Sequence, residues 1–321
     1  MQLNMDQVER LYGIFSPRAS ARQKKMVDGE GKLVHYTSAE NALSILKNGE
    51  LWLRNARAMQ DFSEVEYGYH HLHSHFSLEE NRKNFNEALS FLDENLGQDG
   101  IRHFDAWWNS IQNATYIACF SEHDANEGEH GRLSMWRGFT QGVNGVALIF
   151  KFPTPYAALP LNVFFTPVEY RTSIDFQDEF GRILENIKNN QEFLKTVDRQ
   201  LIVSSIYVML MTMSVSSKHP GFHEEREWRL VHAPLQSAST FVPRSVEVVH
   251  GIPQLVHKVP LKNHADQGIR GVEISDLLEQ VIIGPTKYPH SIREAFVHKL
   301  TELGVAKPNQ KVTVSGIPVR V

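Results

Sequence analysis

Hydrophobic positions along the chain recur with two different periods, and the change from one to the other marks the elements. Residues 32–36, KLVHY, read as a short strand, and residues 51–56, LWLRNA, as a second, with Leu51, Leu53 and Asn55 on one face. Between them Ala42, Ile45 and Leu46 stand at helical spacing. Thr37 or Ser38 is placed to cap that helix, and Gly49 to end it. Strand, short helix, glycine, strand is therefore the first unit expected.

The pattern continues in the same alternating manner. Helices are expected over 58–75, over 78–96 (stopped by Gly97 and Gly100), and over 103–113. Residues 115–120 and 145–152 read as strands, as does 163–170, interrupted by Pro167. At least two helices fill 175–215, and the last helix spans 291–303 before a closing strand over 311–321. Residues 1–31, a short helix at 5–15 and a polar connector, are expected as an N-terminal arm. Residues 32–321 are expected as one α+β domain, with a mixed, mostly antiparallel sheet core and helical insertions.

One stretch departs from simple patterning. HPGFHEEREWRLV, residues 219–231, read as a strand, puts Glu225, Glu227 and Arg229 on one face and Arg226, Trp228 and Leu230 on the other. Two carboxylates and a guanidinium on one face belong in water or along a polar cleft.

Composition narrows the class. With 321 residues, 41% hydrophobic and 22% charged, the chain reads as globular and able to bury a sizeable core. A net charge of −4 gives no general attraction to nucleic acid or anionic membrane. The single cysteine, Cys119, excludes an internal disulfide and a cysteine-rich zinc site, and favours a reducing, cytoplasmic setting. The most apolar stretch, 201–215, is shorter than the roughly 20 residues a bilayer requires, so it is expected as a buried core helix.

Several clusters carry candidate chemistry. His35 lies in the first strand, and the Tyr36, Thr37 and Ser38 that follow it stand at a helix entrance, where free N–H groups and hydroxyls bind anions. Asn55 and Arg57 share a strand face, and Asp61 or Ser63 is placed to cap the next helix. Trp136 beside Arg137 offers a stacking plane next to a bidentate anion binder, after a polar loop suited to a flap. Each has a plainer reading: a satisfied strand histidine, a helix cap, a core tryptophan beside an arginine in a structural ion pair, an edge strand in water. The string HHLHSH places His71 and His75 four residues apart, as a metal pair would require, but without a carboxylate at a diagnostic offset. No phosphate-binding glycine loop, nucleophile elbow or zinc-cysteine spacing occurs, and Cys119 reads as inert core.

Taken together, HYTSAENALSILKNGELWLRNARAMQDFSE, ACFSE, LSMWRGF, GVALIF, FHEEREWRL and VIIGP resemble the DUF2971 family, a bacterial family without an assigned reaction, across residues 32 to 290. More distantly, the strand, helix, glycine, strand unit followed by a late glutamate-bearing strand resembles ADP-ribosyltransferases, including those that modify nucleic acid. That second resemblance implies NAD as the substrate, with His35 on its ribose and Thr37 or Ser38 nearby. Trp136 or Tyr36 would cover the nicotinamide, and Arg137 or Arg229 would hold the pyrophosphate. Glu227 would be catalytic and Glu225 would assist.

Three functions compete on this reading. The first is a NAD-consuming transferase or glycohydrolase, a toxin or phage-defence effector with a nucleic-acid or protein acceptor. The second is a non-catalytic module that binds a nucleotide or another phosphorylated ligand in the same cleft. The third is a metal-dependent hydrolase built on the histidine string. Whether His35, Trp136 and Glu227 converge on one cleft is the observation that bears most on the choice among them.

Overall fold

The computed structural model describes residues 5–59, 64–140, 143–152, 159–249 and 251–318. It opens with α1 (Met5–Phe15), α2 (Pro17–Asp28), β1 (Lys32–Ser38), α3 (Ala39–Asn48) and β2 (Glu50–Asn55). Three helices follow, α4 (Glu64–Ser77), α5 (Glu79–Leu89) and α6 (Leu96–Ala114). Next come β3 (Tyr116–His123), α7 (Leu133–Phe139), β4 (Gly145–Lys151), β5 (Phe164–Pro167) and β6 (Glu169–Tyr170). Helices α8 (Ser173–Asn189), α9 (Gln191–Leu194) and α10 (Arg199–Val215) lead to β7 (Ser217–Lys218) and β8 (Glu227–His232). The chain closes with β9 (Arg244–Val249), β10 (Ile252–Pro260), α11 (Ile274–Leu277), β11 (Leu278–Ile283), α12 (Pro289–Glu302), α13 (Pro308–Lys311) and β12 (Val312–Val314). The fold is α+β.

Two compact units share these elements. One is Met1–Lys24, Asn55–Thr115 and Thr166–His223, and the other is Lys25–Arg54, Tyr116–Phe165 and Glu224–Val321.

The first unit is helical and is built on α10. Asp198 caps it by accepting from the N–H of Gln200, and its apolar residues, among them Ile202, Ile206, Leu210 and Met213, are buried. This is the core helix expected from its length and apolarity. Helices α4 and α6 press against it through glycine. A Cβ on Gly68 would sit 2.3 Å from the Ser214 carbonyl, and one on Gly100 would sit 2.5 Å from Ile206. Gly97 and Gly100 therefore do not stop a helix as the sequence suggested. Both lie inside the first turns of α6, where close packing needs them more than the helix resents them.

Among its described residues, the segment expected as an N-terminal arm forms the two helices α1 and α2. Leu11, Ile14 and Phe15 form one apolar stripe of α1 and are buried within this unit, and Arg18 pairs with Glu179 of α8 at 2.9 Å. No described helix is long and apolar enough to cross a membrane.

The second unit holds a ten-stranded sheet in the order β12-β11-β4-β1-β3-β2-β10-β9, with β8 also pairing β3 and β5. Strand β1 pairs antiparallel with β3 and β4, β10 with β2 and β9, β11 with β4, and β3 with β8, whereas β11 and β12 are parallel. Strand β8 occupies one edge of β3 from Tyr116 to Ser121, so β1 and β2 must share the other edge. The β1–β3 ladder ends at Val34 paired with Ser121. The sheet forks there, with α3 bridging the gap.

Helix α3 has the ends the sequence called for. Ser38, not Thr37, accepts from the N–H of Asn41, and Gly49 takes the left-handed conformation with φ 64°. The closing strand is shorter than 311–321, since β12 stops at Val314.

Register assigns the two faces of this sheet. Val34, Ser121 and Glu227 lie side by side, as do Cys119 and Arg229, so these five share one face. Leu33, His35, Phe120, Trp228 and Leu230 belong to the other. That second face carries a small apolar cavity of about 60 Å³, lined by Leu33, Phe120, Phe150, Leu230 and Val259 among others.

Candidate active site

Residues 219–231 do not form one strand. Pro220–Glu225 is a 3-10 turn, Arg226 adopts φ 44°, and β8 begins at Glu227. A left-handed arginine costs about 1–2 kcal/mol. Arg226 donates to Asp124 at 3.2 Å and lies 3.7 Å from Glu127, while its carbonyl accepts from the N–H of Glu122. The turn changes the expected face. Glu225 ends the 3-10 segment, partly exposed, and its carbonyl accepts the Ser121 hydroxyl, so it does not continue the Glu227 face.

Glu227 and Arg229 do share a face, and both are buried. Arg229 Nε donates to Glu227 Oε1 at 2.8 Å and Nη2 to Oε2 at 3.2 Å, a two-pronged pair whose side chains are 1% and 6% exposed. On the other face Trp228 is fully buried, and its Nε1 donates to Glu122 Oε1 at 2.8 Å.

Arg132 braces the start of β8, and sequence reasoning missed it. Its Nη1 donates to Ser121 Oγ at 2.9 Å and to the Glu224 carbonyl at 2.5 Å. Its Nη2 donates to the Glu122 carbonyl and to Glu127 Oε1, and Nε reaches the same oxygen. Burial alone would raise Glu127, but the hydrogen bonds from Arg132 and the neighbouring His123, 3.5 Å away, outweigh it and hold the carboxyl below its ordinary range. In the string EHDANEGEHGRLS nothing distinguishes Arg132 and Glu127 from surface charges. Only the folded loop brings them together.

The structure places the other expected residues as follows. His35 Nδ1 lies 2.9 Å from the Cys119 carbonyl, at the fork between β1 and β2. A carbonyl only accepts, so Nδ1 carries the proton, and burial lowers the imidazole pKa and keeps it neutral. His35 fills the gap where β1 parts from β3, and its ring lies 5.5 Å from Phe120 on the apolar face. It does not join Glu227.

Trp136 is 3% exposed. It meets Tyr36 edge-on at 4.8 Å, donates to the His130 carbonyl, and lies so near Gly284 that a Cβ there would come within 2.7 Å of the ring. It is a core residue and presents no free stacking plane. The expected convergence of His35, Trp136 and Glu227 therefore does not occur.

Arg137 is exposed on α7. Tyr36 is buried, accepts from the N–H of Arg132 at 2.9 Å, and has its phenol pushed up to about 12, chiefly by burial. Thr37 is buried, with Oγ1 accepting from Asn41. Asn55 and Arg57 are engaged with Asn113, and Asn55 Oδ1 accepts from the N–H of Arg57 to turn the chain. Asp61 and Ser63 lie outside the described residues. Cys119 is partly exposed on the Glu227 face, directly across from Arg229.

The histidine string divides by helical phase. His71 stacks on Phe176 at 4.9 Å and His75 on Phe180 at 4.1 Å. Burial lowers both, His75 to about 4. They are packing residues, and among the described residues no group of three or more His, Cys, Asp or Glu is arranged to hold a metal.

Residues 135–230 match the family described as a protein of unknown function, DUF2971. The DUF2971 match runs from α7 into β8, so it includes Trp136, Arg137, Glu225, Glu227 and Arg229 and leaves out the unit of β1, α3 and β2. No curated protein and no solved structure matches the chain.

Proposed function

We propose that the chain is a NAD-consuming enzyme of ADP-ribosyltransferase type, with Glu227 as its catalytic carboxylate and Arg229 as its anion-binding partner. The observation that carries this reading is the buried Glu227–Arg229 pair at the head of β8. Desolvating two charges costs several kcal/mol per ion, which packing alone gives little reason to bear, and buried charged groups concentrate at functional sites. The pair matches NAD in its chemistry: a guanidinium suits the pyrophosphate, and a carboxylate suits the cationic ribose that forms as nicotinamide departs.

In the reaction the bond between ribose C1′ and the nicotinamide nitrogen breaks, and its electron pair leaves with nicotinamide. Glu227 stabilises the resulting oxocarbenium character. An oxygen or nitrogen of water or of an acceptor then bonds to C1′, and its proton passes to the Glu227 carboxylate. Ser121 and Arg132 hold the turn that places Glu227. His35 enters as the residue that closes the strand fork and not as a ribose contact. Such an activity would act where NAD is held, in the cytoplasm, and would suit a toxin or phage-defence effector, with a nucleic acid or protein as acceptor.

One observation favours a second reading. Glu227 already receives two hydrogen bonds from Arg229, which also suits a module that binds a nucleotide or phosphorylated ligand without turnover. Purified protein incubated with NAD separates the two. The enzyme reading expects nicotinamide release. Thermal stabilisation by NAD without release supports the binding module, and neither turnover nor binding by calorimetry contradicts both.

A further inference from the structure

The histidine string leaves two members unaccounted for, and they line a groove in the helical unit. His70 and His73 stand on the side of α4 away from the packed His71 and His75. With Glu66 and Tyr69 of α4 and Trp108 and Gln112 of α6 they line an open groove of about 390 Å³. That lies within the roughly 300–1,000 Å³ of small-molecule sites.

Its walls have two chemistries. Tyr69 and Trp108 stack on one another at 3.7 Å and 11°, a rigid aromatic ledge backed by Phe104. Burial, together with the nearby Asp105 carboxylate, raises the Tyr69 phenol, so it stays a neutral donor. Beside the ledge Gln112 Nε2 donates to Glu66 Oε1 at 3.1 Å. That bond ties the two side chains together at the groove wall and leaves Glu66 Oε2 and Gln112 Oε1 as further acceptors on neighbouring lining residues. Aromatic surface with a fixed polar edge is the arrangement that recognises an unstacked nucleobase.

The edge selects among bases. Two adjacent acceptors require a ligand edge with two adjacent donors. Guanine supplies them in its N1–H and N2–H₂ groups, whereas adenine and cytosine pair one donor with an acceptor. Thymine and uracil set one donor between two carbonyls. We propose that this groove binds an unpaired guanine base, stacked on the Tyr69–Trp108 ledge with its Watson–Crick edge on Glu66 and Gln112. The base could arrive in a free guanine nucleotide or in single-stranded nucleic acid. None of the residues proposed for NAD chemistry lines this groove.

The test is fluorescence anisotropy of the full chain with a labelled short single-stranded oligothymidine carrying one central guanine, against the same strand without it. The guanine strand is expected to bind at least tenfold more tightly. Glu66→Gln should remove most of that preference, and Trp108→Leu should weaken guanine-strand binding about tenfold, with thermal melts confirming that both variants fold. Unlabelled guanosine monophosphate that competes at similar concentration assigns the groove to free nucleotides, and competition only by the strand assigns it to nucleic acid. Equal binding of the two strands overturns the proposal, as does a preference that Glu66→Gln leaves intact. Failure of both the guanine strand and guanosine monophosphate to bind overturns it as well.

Discussion

Arg229 holds Glu227 through two hydrogen bonds on one face of β8, and neither side chain has meaningful access to water. Such a pair is a poor source of net stability, because desolvation offsets most of the attraction, yet removing one partner strands the other. Glu227→Ala should therefore destabilise the protein by about 3–5 kcal/mol in urea unfolding. A loss below about 1 kcal/mol would mean that the pair is not buried in solution.

Arg132 should be as sensitive as the pair it braces. Arg132→Ala leaves the Glu127 carboxylate and the Glu122 and Glu224 carbonyls without their donor, for an expected loss of about 3 kcal/mol. Arg132→Lys should recover little of it, since an ammonium cannot reach Ser121, Glu122, Glu127 and Glu224 from one planar fork. Equal stability of the lysine variant and wild type in urea would refute this role.

Trp136 and Gly284 test whether the tryptophan is core. Gly284→Ala pushes a methyl into the indole and should cost about 1–3 kcal/mol. Combined with Trp136→Phe, which vacates that volume, the substitution should cost measurably less than the sum of the single changes. Strict additivity in urea unfolding would place the ring elsewhere.

Stability should fall in mild acid. Burial holds His75 down to about 4, and burial followed by the charge of His232 does the same to His257. An unfolded histidine titrates near 6.5, so below that pH the unfolded chain gains protons that the folded chain refuses. The stability is present above pH 6.5 and is lost as pH falls toward 4, by on the order of 1–2 kcal/mol per site at pH 5. His75→Phe keeps a ring on Phe180 and should shrink the drop in Tm between pH 7 and 5. An unchanged drop would show that His75 is not held neutral.

Much of the fold was legible because local signals and burial agreed. Ser38 and Gly49 ended α3 where capping chemistry placed them, and the unbroken apolarity of 201–215 forecast the buried helix α10. Gly97 and Gly100 misled because a glycine that ends a helix and a glycine that admits a neighbouring helix look alike in sequence. The site was less legible for a related reason. Alternation put Glu225 on the Glu227 face because nothing in HEEREW announces a left-handed Arg226. His35 and Trp136 were plausible ligand residues by type, but the face of His35 follows from the pairing of β1 with β3 and β4, and the burial of Trp136 from its packing on Tyr36 and Gly284, neither of which a local pattern encodes.

If Glu227 acts on NAD, nicotinamide release is the readout that depends on it. Wild type should release nicotinamide, and Glu227→Gln, which keeps the size and one acceptor of the side chain, should lower the rate at least a hundredfold while remaining folded. Glu225→Gln should retain most of the rate, because Glu225 stands on the preceding turn. Undiminished release by a folded Glu227→Gln protein, or no release by wild type, would contradict the account.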